Sequence, residues 1–168
     1  MKVVFSCGRM NPPTLGHQRV VDRLRAIAEA ENGEAVVYLT KTQDEERNPL
    51  DPELKSVMVS RAFGQTVRLT QSPYSAVEEL IERGVEEAVF VVGQDRLKQF
   101  TPLVEFADKG GLRLRIDTLS RTENDVSATA ARRAALEADF ETFKHLTPSP
   151  DEGFADELYR AVRSGLGG

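Results

Sequence analysis

Five short, nearly unbroken apolar runs alternate with stretches whose apolar residues recur at helical spacing, and this alternation leaves few folds open to the chain. The runs lie at residues 3–5, 35–39, 67–69, 88–92 and 112–116 and are rich in β-branched residues. They read as strands buried on both faces of a sheet. Between them, Val20, Val21, Leu24, Ile27 and Ala28 fall on one stripe of 3.6-residue period. Leu54, Val57, Met58 and Ala62 form a second stripe, opened by Asp51 as N-cap and Pro52 at the first helical position. Val77, Leu80 and Ile81 form a third, with Ser75 and Glu78 as a capping box and Gly84 as the stop. Leu97, Phe100, Leu103 and Val104 predict a helix that kinks or restarts at Pro102. Beyond the fifth run the chain predicts helices at 128–137, 139–146 and about 153–163. Phe154, Leu158, Ala161 and Val162 give the last its buried face, and Gly165, Gly167 and Gly168 predict a frayed end.

Strands and helices in this order predict a single doubly wound, Rossmann-like α/β domain with a five-stranded parallel sheet of order 3-2-1-4-5. A chain of 168 residues suits one such domain. Residues 1–146 would form its body, and 147–168 a C-terminal helix packed on it with a glycine-rich tail. Ligands in such folds sit at the carboxyl ends of the strands where winding reverses, so chemistry is expected just after strands 1 and 4. The net charge of −5 argues against a nucleic-acid or membrane-surface partner, either of which needs a dense basic face. The lone cysteine, Cys7, excludes an intrachain disulfide. With no membrane-length apolar run and no secretory leader pattern, the expected compartment is the cytoplasm.

The first strand runs into Gly8-Arg9-Met10-Asn11-Pro12-Pro13-Thr14-Leu15-Gly16-His17. The prolines stiffen this turn, and Gly16 lets the helix approach a ligand closely. His17 falls in the first helical turn, beside unpaired N–H groups that favour an anion, where it could donate to a phosphoryl oxygen gaining charge in a transition state. The fourth strand ends in Gly93-Gln94-Asp95-Arg96. Gly93 would let a base or ribose lie against the backbone, Asp95 would cap a helix or bind a hydroxyl, and Arg96 would contact phosphate. After the fifth strand, Ser127-Ala128-Thr129-Ala130-Ala131-Arg132 places an N-cap serine one turn before an arginine fork suited to polyphosphate. Lys41, Arg47 and Lys55 are cations that could reach the same crevice, the alternative being a mobile charged loop. His145 reads as a surface residue and Cys7 as packing rather than nucleophile. There is no P-loop, dinucleotide fingerprint, H-E-x-x-H or C-x-x-C pattern.

The segment Gly8 to His17 resembles the N-terminal signature of the HxGH nucleotidyltransferase superfamily. That group includes nicotinamide-mononucleotide and phosphopantetheine adenylyltransferases and glycerol-3-phosphate cytidylyltransferase. Gly93-Gln94-Asp95 is similar to its G-x-D element, and Ser127 to Arg132 to its I-S-x-T-x-x-R element. With Thr42-Gln43-Asp44 and Asn48-Pro49-Leu50, the chain looks most like small phage-encoded members. The resemblance implies a transfer without covalent enzyme intermediate. A phosphate of the acceptor attacks the α-phosphorus of a nucleoside triphosphate, pyrophosphate leaves, and Mg²⁺ screens the triphosphate with no metal site on the protein itself. It further implies a nucleotide pocket of Gly8, Arg9, Met10, Asn11, Gly16, His17, Gly93, Asp95, Arg96, Ser127, Thr129 and Arg132. His17 with Thr14 would stabilise the α-phosphate, Ser127, Thr129 and Arg132 would hold the β- and γ-phosphates, and Gly93 and Asp95 would line the nucleoside pocket. Lys41, with Arg47 and Lys55 as further acceptor-binding candidates, would neutralise the triphosphate or acceptor phosphate. Thr14 stands where the family has the first histidine of its pair, leaving more of the task to His17. AMP transfer from ATP to nicotinamide mononucleotide is the first reading. CMP transfer to a sugar or alcohol phosphate and a catalytically weak nucleotide-binding module are the alternatives.

Overall fold

The computed structural model describes residues 1–120 and 128–167. Five parallel strands alternate with helices: β1 Lys2–Gly8, α1 Leu15–Ala30, β2 Glu34–Thr40, α2 Pro52–Phe63, β3 Val67–Thr70, α3 Pro73–Glu82, β4 Glu87–Gly93, a 3₁₀ turn Gln94–Arg96, α4 Leu97–Lys109 and β5 Arg113–Leu119. Helices α5 (Ala128–Leu136), α6 (Phe140–Leu146) and α7 (Phe154–Gly165) follow. The sheet order is β3-β2-β1-β4-β5, as the alternation predicts.

Each sheet face has its own apolar layer. Val3, Phe5, Tyr38 and Phe90 pack with Val77, Leu80 and Leu103 of α3 and α4. Val4, Val37, Leu39 and Val89 pack with Val21, Leu24, Val59 and Phe63 of α1 and α2. A third cluster joins Leu50 and Met58 to Ala135 of α5, Phe143 of α6 and Phe154, Leu158 and Val162 of α7. The two edge strands depart from the expectation of burial on both faces. In β5, Arg113 and Arg115 are exposed while Leu114 is buried. An edge strand has only one neighbour to cover it, and here its polar face is used: Arg115 pairs with Glu31 at the end of α1, and Asp117 with Arg23.

Several helix signals shift. Asp51 caps α2 as expected, accepting from the Leu54 N–H at 3.1 Å. The cap of α3 is Ser72, not Ser75: Pro73 takes the first helical position, and the Ser72 hydroxyl accepts from the Ser75 N–H at 3.2 Å. Gly84, at φ +77°, follows the α3 C-cap. Helix α4 is neither broken nor restarted at Pro102. The Lys98 carbonyl that a proline cannot serve instead accepts from the Thr101 hydroxyl at 3.1 Å. Gly165 belongs to the last turn of α7 rather than to a frayed end: a Cβ there would overlap the Pro49 carbonyl oxygen. Gly168 lies outside the described residues.

Candidate active site

A difference in strand pairing opens the crevice. β1 and β4 stay in register only as far as Phe5 and Phe90. Beyond that point β1 continues beside β2 to Gly8 and β4 beside β5 to Gly93, so the two central strands part at their carboxyl ends. The residues exposed by this parting, Ser6, Cys7 and Gly8 on one side and Val91, Val92 and Gly93 on the other, line a cavity of about 560 Å³. Arg9, Met10 and Asn11 of the β1–α1 turn and Gly16 and His17 of the first turn of α1 close it on one side, Asp95 and Arg96 of the 3₁₀ turn and Phe100 of α4 on another, and Thr129 and Arg132 of α5 on a third. Three distant stretches thus meet at the point where the winding reverses.

The β1–α1 turn is tightly built. Met10 takes a left-handed conformation, φ +43°, and the Asn11–Pro12 peptide is cis. Asn11 is 1% exposed and joins three segments. Its side-chain oxygen accepts from the Leu50 N–H at 2.9 Å, and its carbonyl accepts from Arg132 Nη1 at 2.8 Å. Arg132 Nη2 also donates to the Thr129 hydroxyl at 3.2 Å. Two of the five guanidinium donors are thereby engaged among the described residues. Burial, with Arg9 and Arg47 nearby, lowers the pKa of Arg132.

Thr14 is the N-cap of α1 and is fully buried. Its N–H donates to Nδ1 of His17 at 2.9 Å, and its hydroxyl lies 3.2 Å from the same nitrogen. Because Nδ1 accepts, the neutral imidazole carries its proton on Nε2 and can act as a donor. Burial pulls its pKa down to about 4, so His17 is neutral at physiological pH. Thr14 does not line the cavity; it orients the histidine that does. Gly93 has a reason beyond ligand approach: a Cβ there would sit 2.7 Å from Oδ1 of Asp95. Cys7 lines the cavity, but burial pushes its thiol up to about 12 and keeps it protonated.

A second cavity of about 460 Å³ adjoins the first, sharing Arg9, Thr129 and Arg132 and adding Glu46, Arg47, Arg133 and Leu136. None of its four arginines has a carboxylate partner among the described residues, in a chain of net charge −5. Arg133 is missing from the sequence-based reading, although its place beside Arg132 in the same helical turn was a usable signal. Lys41 is exposed and lines neither cavity. Lys55 is fully buried and donates to the Thr40 carbonyl at 2.7 Å, holding α2 to the end of β2. Its burial and the Arg9 charge lower its pKa to about 8. The β2–α2 segment is not a loose charged loop, since Asp44 caps its turn. Ser127 lies outside the described residues. Among those residues no group of three or more histidine, cysteine or acidic side chains could hold a metal ion, and no helix is long and apolar enough to cross a membrane.

Comparison with known proteins matches residues 5–134 to the cytidylyltransferase-like family model. No curated protein sequence matches the chain. Among solved structures, Thermotoga maritima TmcAL bound with alpha-thio ATP is similar with a TM-score of 0.67 at 14% identity, covering 99% of this chain and 57% of that one. A bifunctional NMN adenylyltransferase/ADP ribose pyrophosphatase from Francisella tularensis, complexed with AMP and a Mn ion, has a TM-score of 0.59 at 12% identity, covering 97% and 52%. The chain spans little more than half the length of either; at these identities the likeness is one of fold.

Proposed function

We propose, from the premise that the chain belongs to the cytidylyltransferase-like family of HxGH nucleotidyltransferases, that it transfers a nucleoside monophosphate to a phosphorylated small molecule. AMP from ATP is the first choice of donor and nicotinamide mononucleotide the first choice of acceptor. Support for the adenine nucleotide comes from the two neighbours, one bound with alpha-thio ATP and the other an NMN adenylyltransferase complexed with AMP. The observation that carries the reading is the single cavity shared by His17, Arg132 and the parted ends of β1 and β4.

In this reading an acceptor phosphate oxygen attacks the α-phosphorus in line. The bond from that phosphorus to the α,β-bridging oxygen breaks, and pyrophosphate leaves with its electron pair. His17, held by Thr14 with its proton on Nε2, donates to the α-phosphoryl oxygen as charge builds there. Arg132 and Thr129 hold the β- and γ-phosphates, and the arginine cavity beyond them takes the tail of the triphosphate. A divalent ion such as Mg²⁺ would ride on the triphosphate, where it screens charge; the arginine-rich lining suits phosphate oxygens better than a bare cation. Gly93 and Asp95 border the nucleoside.

A second reading is favoured by one observation. Thr14, at the position of the family's first histidine, is enclosed and does not line the cavity, which would suit a binding module with little turnover. Pyrophosphate release measured with ATP, CTP, GTP and UTP against a panel of phosphate acceptors decides among these. Release with ATP and nicotinamide mononucleotide is expected. Release with CTP and a sugar or alcohol phosphate would move the assignment to a cytidylyltransferase. Binding by calorimetry without release from any pair would leave the module.

A further inference from the structure

The turn between β2 and α2 is built around one carboxylate. Oδ1 of Asp44 accepts from three successive backbone N–H groups, those of Glu46 at 3.0 Å, Arg47 at 2.7 Å and Asn48 at 3.1 Å. Oδ2 accepts from the side-chain amide of Asn48 at 2.8 Å. The Asp44 N–H closes the turn by donating to the Asn48 carbonyl at 2.9 Å. These donors hold the carboxyl far below its ordinary range. The shortest of the three backbone bonds belongs to Arg47, whose side chain stands in the wall of the arginine cavity with Arg9, Arg132 and Arg133. The turn is fixed at its far end as well. Asn48 is 3% exposed, and Leu50 donates to Asn11, the residue that also holds Arg132.

We propose that Asp44 is a positioning residue for polyphosphate binding: its carboxylate fixes the backbone at Arg47 so that this guanidinium faces the same anion as Arg132. The inference rests on the reading of the arginine cavity as the seat of the triphosphate tail. Asp44 does not touch the ligand; both its oxygens are turned into its own turn, from where the carboxylate also favours the charged form of Arg132 without forming an ion pair with it. A long side chain on a free loop would have to be ordered when the ligand arrives, whereas one on a fixed turn has less freedom to lose.

A double-mutant cycle read by calorimetry, with ATP and with inorganic tripolyphosphate as titrants, tests it. Arg47→Ala is expected to weaken both ligands about tenfold, the loss of a hydrogen-bonded charge contact. Asp44→Ala is expected to weaken both about fivefold when Arg47 is present and less than about twofold when residue 47 is alanine. Asp44→Asn keeps the oxygen that serves the three N–H groups and should stay within about threefold of the parent chain. Equal losses in both backgrounds, or no loss from Asp44→Ala, overturn the positioning role while leaving the cavity reading intact. An unchanged affinity in Arg47→Ala overturns the cavity reading itself and the inference with it. Should Asp44→Ala fail to fold, Asp44→Gln, which moves the acceptor by one methylene, takes its place under the same criteria.

Discussion

His17 shows what one side chain inherits from its position. As the third residue of α1 it turns back to accept the N–H of its own N-cap, and that bond leaves only Nε2 to carry the proton. Replacing it by alanine is expected to lower kcat about 100-fold or more, by analogy with the loss of an oxyanion donor, with nucleotide affinity changed far less. Steady-state kinetics with ATP checks this. The low pKa adds a stability signature. In the unfolded chain the imidazole binds a proton below about pH 6.5, but in the folded protein only below about 4. Between these values the unfolded state holds more protons, so stability falls as pH drops from 6.5 to 4. Melting temperatures across that window should decline in the parent chain and decline less in His17→Gln, whose side chain can still accept from Thr14. The position of His17 near a helix start was legible in the sequence. The role of Thr14 was not, because a threonine before a helix reads the same whether it meets a ligand or a neighbouring ring.

At the scale of elements, apolar runs located the five strands of the described residues and apolar periodicity five of their seven helices, since burial on a sheet or helix face writes itself into spacing. The other two, α5 and α6, were read as helical without a named stripe. What it could not settle was the ends, where a few hydrogen bonds decide. Ser72 and Ser75 are both credible caps, and Pro73 selects the first. Ser72→Ala is therefore expected to cost about 1 kcal/mol and Ser75→Ala a few tenths, measured by urea unfolding. Pro102 misleads for a similar reason: a neighbouring threonine hydroxyl supplies the missing donor, which composition alone does not reveal. Lys55 was legible as a cation, but its buried side chain is spent on the Thr40 carbonyl at the end of β2 and lines neither cavity. The Asp44 turn carried a readable sign, an aspartate followed four residues on by asparagine, yet its charged sequence suggests exposure more than order.

Across the whole molecule, α7 ties the far end of the chain to the site. Phe154, Leu158 and Val162 are fully buried against α5, α6 and α2, and Arg61 of α2 pairs with Asp151 and Glu157. At its other end Gly165 lies against the Pro49 carbonyl, one residue before Leu50. Gly165→Ala is expected to destabilise the fold by about 1–3 kcal/mol, the cost of forcing a methyl group into occupied space, and thermal melting measures it. Leu50 in turn anchors Asn11, and the Asn11 carbonyl anchors Arg132. Under the proposed function an incoming triphosphate would therefore meet a guanidinium whose rotamer is already chosen, with most of the roughly 2 kcal/mol of side-chain freedom an arginine carries surrendered during folding, before any substrate docks.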